Sequence, residues 1–225
     1  MAGMFEFLEG TASSQGQVFI LGGFVVTGNA VATANNILAN PTLFRFAVLL
    51  SVSGVAFHLA WGLLMYELLQ PINRTIARMA LLAVIITSAL QAVTALLQVA
   101  PLLVLESDRQ ATELAYTFLK LNTAAFQIDL VFFGLWCLLT GYLIWRAEFM
   151  PRILGALLMV DGIGWILYLW PPLATQVFPI IAVAAGLAEL PMQFWLIVFG
   201  INSERWLRQA ANKSGGANTA PPDRG

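Results

Sequence analysis

The stretch MALLAVIITSALQAVTALLQVAPLLVL, residues 79–105, decides the fold. It holds 27 residues without one charged side chain, and about 20 apolar residues suffice to cross a bilayer core as a helix. Its polar members are ordered. Thr87, Gln91, Thr94 and Gln98 are spaced four, three and four apart, which places them on one helix face. Lipid offers such a stripe no hydrogen-bond partner, so it predicts neighbouring helices that do.

The flanking sequence supplies them. Residues 46–66 hold no ionisable group except His58, residues 121–145 only Asp129, and residues 153–188 only Asp161. The last run is too long for one span and is divided by Pro171-Pro172; a further apolar segment, 177–201, carries Glu189. The reading is an all-α, polytopic transmembrane helix bundle with five spans, at about 44–69, 77–104, 121–145, 153–170 and 177–201. Composition agrees: 59% of residues are hydrophobic and 10% charged, as in a membrane protein.

The ends of the chain read differently. Residues 1–42 carry Glu6 and Glu9 and no basic residue, so they lack the positive start of a signal peptide and form an extracytoplasmic segment. Within it Val18–Val26 is too short to span and holds Gly22-Gly23, which suggests an interfacial or strand-like piece. Residues 202–225, rich in Ala, Asn, Gly, Ser and Pro from 209 onward, read as a disordered cytoplasmic tail. Arg74, Arg78, Arg146, Arg152, Arg205, Arg208, Lys213 and Arg224 fall on one side of this topology, and Arg45, Arg109 and Lys120 on the other. The more basic side is expected in the cytoplasm. That puts the N-terminus outside and the C-terminus inside a bacterial plasma (inner) membrane.

A net charge of −1 predicts no nucleic-acid partner; the expected partners are membrane lipid and a small-molecule or lipid ligand. The lone Cys137 lies within a span and reads as a small buried apolar residue. Asn73-Arg-Thr75 matches a glycosylation sequon but falls on the predicted cytoplasmic side.

Function must be sought in the polar groups at mid-depth. His58, Asp129, Asp161 and Glu189 all fall near one central layer when depth is counted at about 1.5 Å per helical residue. Gln91 and Gln193 join them, on the faces that also carry Thr87, Trp61, Trp165 and Tyr168. These six residues, His58, Gln91, Asp129, Asp161, Glu189 and Gln193, form the candidate ligand-binding layer. Interhelical hydrogen bonds are a common adhesive in membrane bundles, averaging about 0.6 kcal/mol each, and explain the Thr/Gln stripe without any ligand. Carboxyl groups are a costlier choice, about 2.5–3.5 kcal/mol at a helix centre. Burial disfavours their charged form, so neutral acids or a Glu189–His58 pair are expected. Pro191 removes a backbone donor just after Glu189 and is expected to kink that span.

Several chemistries are weighed down. One histidine in the chain excludes a paired-histidine zinc motif and bis-histidine haem ligation. No Glu-x-x-His motif occurs, as di-metal bundles require. Neither lysine lies at mid-depth. Ser51 and His58 are two turns apart, about 10 Å, too far to bond directly. No metal, cofactor or catalytic residue is assigned. The leading expectation is a membrane protein that binds or moves a small or lipid-like ligand in a mid-membrane polar cavity. The alternatives are an intramembrane enzyme acting on a lipid or quinone-like substrate and a non-catalytic subunit or scaffold.

Three stretches carry a family resemblance. They are Gly28-Asn-Ala-Val-Ala-Thr-Ala-Asn-Asn-Ile37 followed by Leu43-Phe-Arg45; Phe132-Phe-Gly-Leu-Trp136 with Gly141-Tyr-Leu143; and Pro151-Arg-Ile-Leu-Gly155 followed by Glu189 and Trp195. In order and spacing the chain resembles the bacterial membrane family termed domain of unknown function 4386. The resemblance implies an α-helical integral membrane protein, typically of six spans, and no particular activity. It places Gly28–Ile37 in an outer connection between the first two spans. The usual first span ahead of that segment is missing from the reading above, through loss or through a start codon further upstream. Asn29 stands where an Asp is usual, which removes an acid at that position.

Overall fold

The computed structural model describes residues 2–13, 16 and 21–217, and these are helical almost throughout. In chain order the helices are α1 (Ala2–Ser13), α2 (Gly22–Phe24), α3 (Ala30–Ala39), α4 (Pro41–Leu69), α5 (Arg74–Ser107), α6 (Thr112–Arg146), α7 (Arg152–Ile166, with a 3₁₀ turn to Leu169), α8 (Pro171–Val198) and α9 (Ser203–Ala217). Five of them, α4 to α8, are long and apolar enough to cross a membrane. They are the five spans expected from the uncharged runs. Pro171-Pro172 divides the last two as anticipated, but as the opening turn of α8, where proline's missing N–H costs nothing. The helix runs on through Pro179 and Pro191.

Local chemistry sets the boundaries. Asn73 caps α5, its side chain accepting from the backbone N–H groups of Thr75 and Ile76 at 3.1 Å; the sequon asparagine is a helix cap. Asn29 does the same for α3, accepting from Ala32 at 2.9 Å. Asn and Asp are equivalent in that role, so the Asn at this position preserves the cap. Gly28 precedes it at φ +77°, a conformation side chains disfavour, and its N–H donates to the Tyr116 hydroxyl at 2.7 Å. The α2–α3 connection is thereby fastened to the start of α6.

The closest backbone approach at a glycine joins α6 and α7. A Cβ on Gly134 would lie 2.7 Å from the Gly162 carbonyl oxygen, and one on Gly162 would lie 2.6 Å from that of Gly134. Gly141 and Gly155 repeat the arrangement at 2.7 and 2.5 Å. The pairs are seven residues apart on each helix, two turns of antiparallel contact, and small residues are what allow membrane helices to meet backbone to backbone. Gly62 plays a similar part between α4 and α5, facing Val84.

The N-terminal segment departs from expectation. Its start, α1, is neither outside the bundle nor at the opposite end from the tail. Gly3 lies against Leu196 and Ile197 near the end of α8; Glu9 faces His58 in the middle of α4; Gly16 faces Ala47 and Ser51; and Phe24 meets Phe44 edge-on at 5.3 Å. The described residues therefore track α4 in the antiparallel sense, from the basic end of the bundle to the far end, in the place of a first span. Glycines at 3 and 16 permit the close approach. The two glutamates mask the segment's apolar character, yet Glu6 is buried and Glu9 is partly buried, both against polar groups. Val18, Phe19 and Ile20 lie outside the described residues; Leu21 and Gly22–Phe24 are helical, not strand-like, and Leu21 and Phe24 are buried.

The tail is also more ordered than its composition suggests. The Asn202 side chain accepts from the Arg205 N–H at 3.0 Å and starts α9. Trp206 Nε1 donates to the Leu68 carbonyl at 2.9 Å, and Gln209 bridges Arg146 and Glu148. These contacts lay α9 across the basic end, where polar termini of α4 and α6 need partners. Residues 218–225 lie outside the described part.

Candidate functional site: a polar layer shared by six helices

His58 is 1% exposed, and its surroundings fix its tautomer. Its Nε2 lies 2.9 Å from Thr87 Oγ1. The single Thr87 hydroxyl proton goes to the Val84 carbonyl at 2.8 Å, so the hydroxyl oxygen accepts and His58 Nε2 donates. Nδ1 is then a bare acceptor. It has no hydrogen-bond partner and faces Glu9 Oε1 at 3.8 Å. Two acceptors thus confront each other across a gap too wide for a direct bond.

The other acids gather around this point. Glu6, one turn back on α1, is 3% exposed and lies beside Trp61, with Glu9 and Glu189 near it. Asp129 on α6 is buried next to Gln91 of α5 and senses Glu9. Asp161 on α7, fully buried, accepts a weak Cys137 Sγ–H bond at 3.5 Å and faces Glu189 of α8, with Trp165 beside both. Gln193 reaches back to α1, its Nε2 within 3.6 Å of where a Cβ on Gly10 would lie. All six predicted residues therefore belong to one region, fed by α1, α4, α5, α6, α7 and α8.

The expected Glu189–His58 pair does not form. Glu189 is taken by Asp161 on the neighbouring helix, and His58 by Thr87 and Glu9. Glu6 and Glu9 were not anticipated as members. The signal was present: acids three apart share a helix face, here between Phe5, Phe7 and Leu8. The Thr/Gln stripe of α5 divides by role. Thr87 and Gln91 serve the layer. Thr94 bonds the Gln91 carbonyl of its own helix, and its own carbonyl accepts from Asn122 at 2.8 Å, which is interhelical adhesive.

Aromatic rings bound the layer. His58 lies 5.6 Å from Trp61 and 6.4 Å from Phe133; Phe133 stacks on Trp136 at 5.7 Å and meets Trp165 at 6.3 Å. Among the described residues no three His, Cys, Asp or Glu side chains converge to hold a metal ion. Among the described residues, two of the larger recesses lie elsewhere. One of about 550 Å³ at the basic end is lined by Glu148, Trp195, Asn202 and Arg205. The other, about 460 Å³, is an apolar groove between α4 and α5 lined by Val52, Leu59 and Leu96.

Membrane-length helices closed around a shared layer of buried carboxyls define an integral membrane protein of the polytopic helical class. Within that class the chain belongs to the family described as domain of unknown function (DUF4386), whose pattern matches residues 1–200 and so takes in every helix that feeds the layer. No curated protein and no solved structure matches it.

Proposed function

We propose that this protein binds, or moves across the membrane, a small or lipid-like molecule held in the polar layer. The observation that carries this reading is the set of buried hydrogen-bonding atoms left without partners there: Glu6 Oε2, His58 Nδ1, Asp129 Oδ1 and Asp161 Oδ1, with Gln91 Oε1 beside them. Each such atom costs about 1–3 kcal/mol. A bundle that needed only adhesion would do better with the satisfied bonds of Thr94 and Asn122. Glu189 and Trp165 are only partly buried, so the α7–α8 face offers an approach from the lipid side.

The bilayer is read as a bacterial plasma membrane with the basic end in the cytoplasm. Both the start of α1 and α9 then lie on the cytoplasmic side. The test of function is mass spectrometry of the gently extracted native protein. A stoichiometric small molecule or lipid, lost in His58→Ala and Glu189→Gln, is the expected result. An empty protein whose stability ignores both substitutions would contradict it. For orientation, a cysteine placed by Arg109→Cys should react with an impermeant maleimide on intact cells, and one placed by Asn202→Cys should not; the reverse pattern overturns the assignment.

A further inference from the structure

The unpartnered atoms of the layer are mostly acceptors, and this narrows the ligand. Glu6 Oε2, Asp129 Oδ1, Asp161 Oδ1 and Gln91 Oε1 are acceptors. His58 Nδ1 joins them because Thr87 holds the ring with its proton on Nε2. Against these stand the Trp61 and Trp165 indole N–H groups, which face Glu6 and the Asp161–Glu189 pair and can serve one acceptor each. Every arginine and lysine falls at or near an end of the bundle or in the terminal segment. A ligand that completes this layer with its acids ionised must therefore bring donors. One that also carries positive charge would offset the cost of burying carboxylates.

Resting on the reading above, we propose that the ligand is a protonated amine. Its N–H groups would lie beside Glu9 and His58 Nδ1, within reach of both, and extend to the Asp161–Glu189 pair. Its apolar part would lie against Trp61, Phe133 and Trp165, whose rings also attract a cation. His58 Nδ1 is the observation independent of the acids. It is buried, without a hydrogen-bond partner and 3.8 Å from Glu9 Oε1, so one ammonium lying beside the pair can serve both groups. A bare metal ion is a poorer match, since no ligating triad converges among the described residues.

Free amines and aminophospholipid headgroups share this chemistry, and the experiment separates them. The protein is placed in phosphatidylglycerol nanodiscs and its thermal unfolding followed by tryptophan fluorescence. The probes are 2-phenylethylamine, its neutral counterpart 2-phenylethanol, and replacement of half the lipid by phosphatidylethanolamine. A saturable rise in Tm with the free amine alone assigns a free amine; a rise with phosphatidylethanolamine assigns the headgroup. In either case the alcohol should do nothing. Glu9→Gln and Glu189→Gln should weaken the apparent affinity at least tenfold, and Trp165→Phe should weaken it without loss of the folded state. An equal response to the alcohol, or amine binding that survives both glutamine substitutions, overturns the proposal. If native mass spectrometry finds a neutral or anionic molecule in the layer, the amine assignment falls while the ligand-binding reading stands. An empty protein that responds to no probe removes both.

Discussion

The α6–α7 seam and the polar layer lie within one helical turn of each other, since Gly162 follows Asp161, yet they are built on opposite terms. At the seam, paired glycines bring backbones together and add no side-chain polar group of their own. In the layer, acids from α1, α6 and α7 and the histidine of α4 are buried with hydrogen-bonding capacity unspent. The first arrangement holds the bundle together. The second costs stability and is retained beside it, the pattern expected where a site is placed on a rigid support.

Substitutions should separate the two. Gly162→Leu forces a side chain into a space where even a Cβ lies 2.6 Å from a carbonyl oxygen. It should cost about 3 kcal/mol or more, seen as loss of monodisperse protein after extraction. Thr87→Val removes the acceptor that fixes the His58 tautomer and strands a buried N–H. A loss of about 1–3 kcal/mol is expected, readable as a lowered Tm. Asn29→Ala should cost about 1 kcal/mol by removing the α3 cap, whereas Asn29→Asp should change Tm little. Asp161→Asn and Glu9→Gln should be smallest, neutral or slightly stabilising, because exchanging a buried acid for its amide relieves rather than creates a penalty. If the layer acids prove as costly to replace as the seam glycines, the distinction between support and site fails.

What the sequence could disclose follows the same division. The spans are legible because a bilayer imposes length and hydropathy on every helix, as residues 79–105 show. The depth of His58, Asp129, Asp161 and Glu189 is legible from helical rise alone. The partners are not, because rotation of one helix about its axis decides whether Glu189 meets His58 or Asp161, and no single span encodes its neighbour's rotation. The α1 acids were missed for a more general reason. A charge normally argues against burial, and only the company of Trp61, His58 and Glu189, all distant in sequence, reverses that inference for Glu6 and Glu9. In the tail, composition signalled disorder, while Trp206 and Gln209 fasten α9 to carbonyl groups far away in the chain.

The central claim is that α1 packs into the bundle against α4 and α8 and completes the layer. Its most direct test is a disulfide between Gly3→Cys and Leu196→Cys in a Cys137→Ala background, formed by mild oxidation in native membranes. A Cβ on Gly3 would stand 2.8 Å from that of Leu196, inside the reach of a disulfide once the helices ease apart slightly. The account predicts an intramolecular crosslink in most of the protein. Two free thiols after oxidation, with the one at position 3 open to an impermeant reagent from outside the cell, would contradict it.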